Sequence, residues 1–346
     1  MDPSHLALNS TRGQAIAAVI LYAWWMCRLT AKEGQVWSFD LAPEAREVLE
    51  THLDERSDPS SAVRSVYGRM LTVLFQIDRK WVRERADTIF PSDEAKRSYW
   101  EAAWSSYLAF SQVYVDVFEG LRPQYAFAVE MLATPTVLPR LPIDPKQRLA
   151  EHLMNLHWSG RIRTDGSAPI WEGFWSNSPP EVRKHAMWFL GRSLYDAKEP
   201  IEPDLLARLR TLWESRLSAA RSAADSTNHF PEIAQFGWWF CSAKFPEEWG
   251  LQQLEATLEI TNYVKPDHLV LEALAGVAGR QPLPAVRCLE KMIDKTDRLQ
   301  LRLHEKQMRQ VLAEAKKAGG EAHMMLTRVV NALARIGMPQ FRDLVE

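Results

Sequence analysis

The sequence predicts an all-α protein, and three observations support this class. Apolar residues recur at three- and four-residue spacing along most of the chain, as at Val63, Val66 and Met70. No segment shows the sustained two-residue alternation, bounded by turn residues, that strands would give. Helix pairs recur about every 35 to 45 residues, the period of two-helix repeats. We therefore expect an irregular α-solenoid of HEAT-like or TPR-like helix pairs; the alternative is two packed helical bundles.

The uncharged stretch at residues 15–27, AIAAVILYAWWMC, predicts the first long helix. A helix that is apolar on every face is expected to be surrounded by other parts of the protein. Ser10 or Thr11 would cap its start, and Gly13 would let a neighbouring helix approach its first turn. The stretch is shorter than the roughly 20 apolar residues that cross a bilayer. We expect a buried central helix around which the other helices pack.

Capping residues and apolar spacing place the next helices. Pro43 opens one helix after a loop, and Ser60 and Ser61 cap the next. The helices of this part are expected at 43–52, 63–75, 78–89, 99–108 and from there to 133, with a break at Pro123. In the remainder of the chain, Asp144 and Ser178 mark helix starts, and Gly337 marks the end of the last long helix.

A proline-rich segment predicts the internal boundary. Pro135, Pro139, Pro142 and Pro145 fall within eleven residues, so residues 134–143 are not expected to be helical. The predicted organisation is an N-terminal helical subdomain at 1–133 and a C-terminal helical-repeat subdomain at 144–346, joined in one continuous solenoid.

Composition favours a cytoplasmic protein. The formal net charge is -2 and the pI about 6.5, so no global field attracts nucleic acid or an anionic membrane. Three widely spaced cysteines within apolar patterns predict buried free thiols in a reducing compartment. The N-terminus shows no basic region followed by a short apolar run and a small-residue cleavage site, so we do not expect export. The fourteen tryptophans are expected to fill gaps between helices.

No catalytic, cofactor or metal motif is present. The sequence has no phosphate-binding loop, no Gly-x-Gly-x-x-Gly, no Gly-x-Ser-x-Gly and no Cys-x-x-Cys. His304 and Glu305 begin a zinc-protease pattern, but position 308 is Met, so the second ligand is missing. We therefore predict no catalytic residue, no metal ligand and no cofactor.

Two segments are candidates for binding. Residues 159–177 form the longest irregular stretch, and long loops in compact proteins are often functional. Its candidate partner-binding residues are Arg161, Arg163, Asp165, Trp171 and Trp175. A basic row on one predicted helical face is the second candidate, and it consists of Arg298, Arg302, Lys306, Arg309 and Lys316. A solvated charged face is the ordinary interpretation of such a row.

Five segments carry a resemblance to a known group of proteins. They are LALNSTRGQAI, SSAVRSVYGRMLTVLFQIDRKW, FWSNSPPEVRKHAMWFLGRSL, FGWWFCSAKFPEEW and NALARIGMPQFRDLVE. The chain resembles the C-terminal helical-repeat region of large bacterial ATP-binding or sirtuin-like proteins associated with anti-phage defence. The resemblance implies a helical domain that senses a partner or regulates an effector. In those proteins a nucleotide-binding or sirtuin-like module lies upstream, so this chain, which starts at Met1 without one, looks like a fragment, a split gene product or an excised domain.

The function favoured by these observations is a cytoplasmic, non-catalytic interaction module, the sensor or regulatory region of a bacterial anti-phage system. Its expected partner is a protein: an effector or NTPase module, or a phage protein. Two alternatives remain open: a nucleic-acid-binding helical domain that uses the basic row at 298–316, and an enzyme with an unrecognised site. No membrane interaction is expected.

Overall fold

A computed structural model describes residues 3–138, 144–162, 169–293, 296 and 298–345. Over these residues the chain forms 22 α-helices joined by short turns and loops, with no β-strand, which confirms the all-α class. It divides into two compact units, Met1–Pro179 and Pro180–Glu346. The boundary expected in the proline-rich segment falls within the first unit.

Within its described residues, the first unit contains twelve helices that follow one another closely. They are α1 (Pro3–Asn9), α2 (Thr11–Thr30), α3 (Pro43–Leu53), α4 (Ser61–Arg69), α5 (Leu71–Ile77), α6 (Arg79–Glu84), α7 (Ala86–Ile89), α8 (Arg97–Phe110), α9 (Val115–Gly120), α10 (Arg122–Glu130), α11 (Pro145–Trp158) and α12 (Pro169–Asn177).

The described residues of the second unit form ten helices. They are α13 (Pro180–Asp196), α14 (Pro203–Ser222), α15 (Phe230–Ile233), α16 (Phe236–Cys241), α17 (Glu247–Thr261), α18 (Asp267–Val277), α19 (Pro282–Ile293), α20 (Arg298–Leu303), α21 (Glu305–Ala318) and α22 (Gly320–Arg335).

Predicted helix ends are confirmed where a cap defines them. The Ser60 hydroxyl accepts a hydrogen bond from the Val63 amide, and the Asp144 carboxylate accepts one from the Lys146 amide. Gly337 has a φ of 85°, the left-handed conformation that terminates α22. Two predicted helices are each divided in the structure: 63–75 at Met70 and 78–89 at Arg85.

The pairing of α4 with α8 explains why glycine stands at position 68. A Cβ atom on Gly68 would lie 1.8 Å from the carbonyl oxygen of Ala103, so only glycine lets the two backbones approach this closely. The same reason applies at Gly13, where a Cβ would lie 2.1 Å from the Ala7 carbonyl oxygen of α1. The expectation that Gly13 admits a neighbouring helix is confirmed.

The structure corrects the prediction for α2. Its inner side is buried along Ile16, Ile20 and Cys27, as a central helix requires. Its other side is open to solvent, with Leu21 and Trp25 about half exposed. The prediction that α2 is surrounded on every face is wrong, because apolar composition alone does not show which side other helices cover.

The described part of the proline-rich segment is held to α8 by a buried carboxylate. Glu101 accepts hydrogen bonds from the backbone amides of Val137 and Leu138 at 2.8–2.9 Å, and pairs with the Arg97 guanidinium at 3.1 Å. Nearby, Lys146 Nζ donates to the carbonyl oxygens of Leu132 and Thr134, and burial lowers the pKa of its ammonium group. Residues 139–143 lie outside the described residues.

A charged cluster lies inside the second unit. The fully buried Glu232 carboxylate accepts hydrogen bonds from Arg183 and Arg216, and it contacts His229 Nδ1 at 3.0 Å. Burial raises the pKa of Glu232, but the His229 hydrogen bond and the two guanidinium charges outweigh burial and hold it below its usual value. The carboxylate is therefore ionised at neutral pH and joins α13, α14 and α15.

Candidate interaction surface

The outer side of α2 is an exposed apolar surface. Leu21, Trp25 and Leu29 are 51%, 52% and 60% exposed, and Tyr22 is also exposed. Single apolar side chains on a surface are ordinary, whereas a contiguous patch of several hundred Å² is typical of an interaction site. These four side chains follow one another along one helix, so they form such a patch.

Six exposed residues of α2 follow the spacing of a helix-pairing line. Separated by 4, 3, 4, 3 and 4 positions, they are Thr11, Ala15, Ala18, Tyr22, Trp25 and Leu29. Residues that alternate at three and four positions form the contact line where two helices pair. We call these six residues the outer seam of α2. Leu21 lies beside it.

The rest of the unit holds α2 in place. Its first turn is capped by Ser10, whose hydroxyl accepts from the Gly13 amide, and Arg12 pairs with the buried Asp58 carboxylate at 3.3 Å. At the middle of the outer seam, the Tyr22 hydroxyl donates to Glu44 of α3 at 2.5 Å. The outer seam is therefore presented on a fixed helix, and little ordering is needed when a partner binds.

A polar groove lies near the end of α2. Trp24 contacts Trp37 edge to face at 6.3 Å, and Trp37 lines a groove of about 620 Å³. Three cations on its wall are already engaged: Arg46 with Glu50, Arg79 with Asp116 and Lys80 with Glu84. Its volume suits a small molecule, but its charges are largely neutralised from within, so they identify no class of ligand.

A buried chain of polar groups crosses the first unit. The Tyr107 hydroxyl lies 2.9 Å from that of Tyr125, which lies 2.9 Å from His152 Nδ1, and His152 Nε2 lies 3.0 Å from the Ser111 carbonyl oxygen. Burial lowers the pKa of His152 to about 4, so the imidazole is neutral at pH 7. Since a carbonyl only accepts, Nε2 carries the proton, and Tyr125 donates to Nδ1.

The residues predicted in the 159–177 loop have different positions. Arg161 is exposed, whereas Arg163 and Asp165 lie outside the described residues. Trp171 and Trp175 are buried on α12, and the Trp171 ring stacks on His157 with centroids 4.6 Å apart. Residues 169–177 of the stretch expected to be irregular are therefore helical, and the two indoles of α12 pack inside the unit rather than lining a partner surface.

The predicted basic row is spread over α20 and α21. Arg302, Lys306 and Lys316 are exposed, and Arg298 lies at the start of α20. Arg309 is engaged within the unit: it pairs with Asp343 at 2.7 Å and lies over the Phe341 ring at 5.1 Å. The break between the two helices at His304 interrupts the single helical face that the spacing predicted.

The described residues carry further titratable side chains outside the clusters above. No three His, Cys, Asp or Glu side chains of this part of the chain are placed to hold a metal ion. The three cysteines are free; Cys27 and Cys288 are buried, and burial raises the pKa of all three thiols. Among the helices described, none is long and apolar enough to cross a membrane.

The outer seam was not predicted from the sequence, although the spacing that defines it is present there. The 4, 3, 4, 3, 4 spacing is visible, but Ile16, Ile20 and Cys27 form a second apolar line on the same helix. When every face is apolar, the spacing alone does not distinguish the buried line from the exposed one. The burial of each side chain in the structure makes that distinction.

Comparisons with family models, with curated proteins and with solved structures found no match to this chain.

Proposed function

We propose that this protein is a helical interaction module whose outer seam of α2 binds a helix of a protein partner. The observation that carries the proposal is the exposed apolar patch at Leu21, Tyr22, Trp25 and Leu29. Aromatic and aliphatic anchors of this kind dominate helix-in-groove recognition, in which apolar residues at three- and four-residue spacing face the partner.

The size of the patch is sufficient for binding. From the exposed fractions, its four side chains present roughly 400 Å² of apolar surface. Removing that area from water is worth about 10 kcal/mol before the costs of association, which are of the order of 4 to 15 kcal/mol. The partner must add comparable contacts, so we expect a binding constant in the micromolar range or tighter.

The setting we propose for this module is the one that the resemblance implies: the sensor or regulatory region of a bacterial anti-phage system, with an effector or NTPase module, or a phage protein, as the partner. We also propose that α17 to α22 stack as pairs in an irregular solenoid. Packing of α17 on α19 and of α19 on α21 and α22 supports this, because each helix contacts near neighbours in the sequence.

Co-purification with a matched control tests the proposed interaction. The tagged chain is expressed in a bacterial host, with and without phage challenge, as wild type, as Trp25→Arg and as Phe110→Arg. Trp25 and Phe110 are equally exposed aromatic residues, both at 52%, so the two variants make similar changes at different places. Proteins bound by the chain are identified, and the strongest is purified for a binding titration.

We expect a partner that binds the wild type and Phe110→Arg with equal affinity and binds Trp25→Arg at least about 30-fold more weakly, as loss of an interface hot spot predicts. An unchanged set of bound proteins, with unchanged affinity for Trp25→Arg, would contradict the proposal. Circular dichroism of the three proteins shows whether the helices are intact.

A further inference from the structure

The outer seam is divided by side-chain size. Its N-terminal half consists of Thr11, Ala15 and Ala18, and its C-terminal half of Tyr22, Trp25 and Leu29. All six are exposed. A surface with small residues at one end and large residues at the other is best covered by a helix with the opposite order.

An antiparallel copy of α2 has that opposite order. We place a two-fold axis between two such helices, at the level of residue 20. Two seam residues then face each other when their numbers add up to 40. Each layer then joins a small residue to a large one. The facing pairs are Thr11 with Leu29, Ala15 with Trp25 and Ala18 with Tyr22. Small and large residues that alternate across a helix pair interdigitate without voids.

The parallel arrangement does not fit. It would place like residues together, so that Trp25 faces Trp25 and Ala15 faces Ala15. The helix axes would then be pushed apart at one end while a void remained at the other, and both effects weaken packing. The order of the residues thus selects the antiparallel arrangement.

The flanking positions also allow this arrangement. On one side of the seam, Leu21 approaches Leu21 of the second copy and Arg28 approaches Gln14. On the other side, Arg12 approaches Met26. None of these approaches brings two like charges together, and residues 13–27 carry no charge at all. The cation at Arg28 already lies over the Trp24 ring of its own helix, at 4.8 Å.

The buried area suits a reversible dimer. Two patches of roughly 400 Å² give about 800 Å² of apolar contact. Apolar atoms make up about 65% of a typical homodimer interface, so the total is about 1,200 Å², at the lower end of the range for stable complexes.

We propose that the outer seam of α2 binds the same seam of a second copy of this chain, antiparallel, in a two-fold symmetric dimer. This inference concerns the same seam as the proposed function and goes beyond it, because the helix that is bound is α2 of a second copy. An interface of this kind is isologous: each copy supplies the same residues. We expect dissociation constants of about 10 µM.

Sedimentation of the purified full chain tests the dimer. Over about 1 to 200 µM, the wild type and Phe110→Arg should change from monomer to dimer, and Trp25→Arg should dimerise at least about 30-fold more weakly, so that it stays largely monomeric up to about 30 µM. A wild-type chain that stays monomeric over this range, or a dimer unaffected by Trp25→Arg, would overturn the inference.

A size exchange tests the register. Ala15→Trp alone places two tryptophans face to face, and Trp25→Ala alone leaves two alanines, so each single variant should be mostly monomeric. The double variant restores a small residue opposite a large one and should dimerise within about tenfold of the wild type. A double variant no better than the single variants would overturn the antiparallel pairing.

The two proposals fail separately. If the purified chain is monomeric but a different protein binds it in a Trp25-dependent manner, the interaction function stands and the second copy is not its partner. If the chain dimerises as expected but no other protein depends on Trp25, the self-association stands alone, and the proposed sensor role for another partner fails.

Discussion

Two regions depart from the usual distribution of side chains in opposite directions. They are the outer side of α2 in the first unit and the Glu232 cluster in the second unit. On α2, Leu21 and Trp25 lie in solvent although they are apolar. In the cluster, Glu232, Arg183 and Arg216 are buried although they are charged. The buried charges satisfy one another within the unit, whereas the exposed apolar side chains have no comparable cover. The buried charges therefore have a structural role within the unit, and the exposed apolar side chains are the feature on which we base the proposed interaction.

The largest effect is expected where a buried charge loses its partner. Glu232→Gln keeps the shape of the side chain but removes the buried charge that Arg183 and Arg216 contact, and breaking a buried ion pair costs about 3 to 5 kcal/mol. For a unit of this size we expect the midpoint of thermal unfolding to fall by about 10 °C. Scanning calorimetry measures it.

Glu321→Gln is the matched control for that prediction. It neutralises a glutamate whose ion pair with Arg287 is solvent-exposed, and such pairs are worth at most about 1 kcal/mol. Equal shifts for Glu232→Gln and Glu321→Gln would show that the buried cluster does not stabilise the second unit.

A second test concerns the buried indole of the 159–177 loop. Trp171→Ala removes a ring that is 4% exposed and stacked on His157, and we expect a loss of about 3 kcal/mol in the free energy of unfolding. Arg161→Ala, on the exposed part of the same loop, should change it by less than about 0.5 kcal/mol. Urea denaturation distinguishes the two, and similar values would refute the assignment of Trp171 to the core.

The pH dependence of stability tests the buried polar chain. His152 has a pKa of about 4 in the folded protein, against 6.5 for an ordinary histidine. The unfolded chain therefore binds a proton at higher pH, so the stabilisation is complete above about pH 6.5 and is lost as the pH falls toward 4. Protonation of His152 should lower the free energy of unfolding by up to about 3 kcal/mol over that range.

The variant His152→Gln isolates that contribution. A glutamine amide can accept from Tyr125 and donate to the Ser111 carbonyl, as the neutral imidazole does, but it does not titrate. The difference in unfolding free energy between wild type and variant should shrink between pH 6.5 and pH 4. A constant difference would mean that His152 is not buried as a neutral group.

The smallest effect is expected on α2. Trp25→Ser removes a half-exposed ring, so the free energy of unfolding should change by less than about 0.5 kcal/mol. The measurement is made near 1 µM, where a dimer of about 10 µM affinity is largely dissociated and adds little stability. A large loss at this concentration would mean that the ring packs within the unit and is not part of a binding surface.

Local signals were sufficient for much of the fold. Ser60, Asp144 and Gly337 mark helix ends through bonds and dihedral angles within a few residues, so the sequence alone predicts them. The division of helices at Met70 and Arg85 was not predicted, because the apolar spacing continues across both positions. Spacing reports which side of a helix is apolar, but not whether the helix continues unbroken.

The candidate surface and the buried cluster required contacts between distant segments. Arg183 and Glu232 are 49 residues apart, and no local pattern joins them. On α2 the sequence contains the necessary spacing, but two apolar lines compete for the core. The outer line is identified only when the other helices cover the inner one, at Ile16 and Ile20.

The close approach at Gly68 has a consequence for how this chain can vary. In a library of all single substitutions, position 68 should tolerate almost nothing, because any side chain meets the Ala103 carbonyl oxygen. Gly276, also inside a helix, has open space around its Cα, and alanine there should gain about 0.5 to 1 kcal/mol. A glycine kept at position 68 in a relative would indicate that two helix backbones cross there. It would not be evidence of a catalytic role.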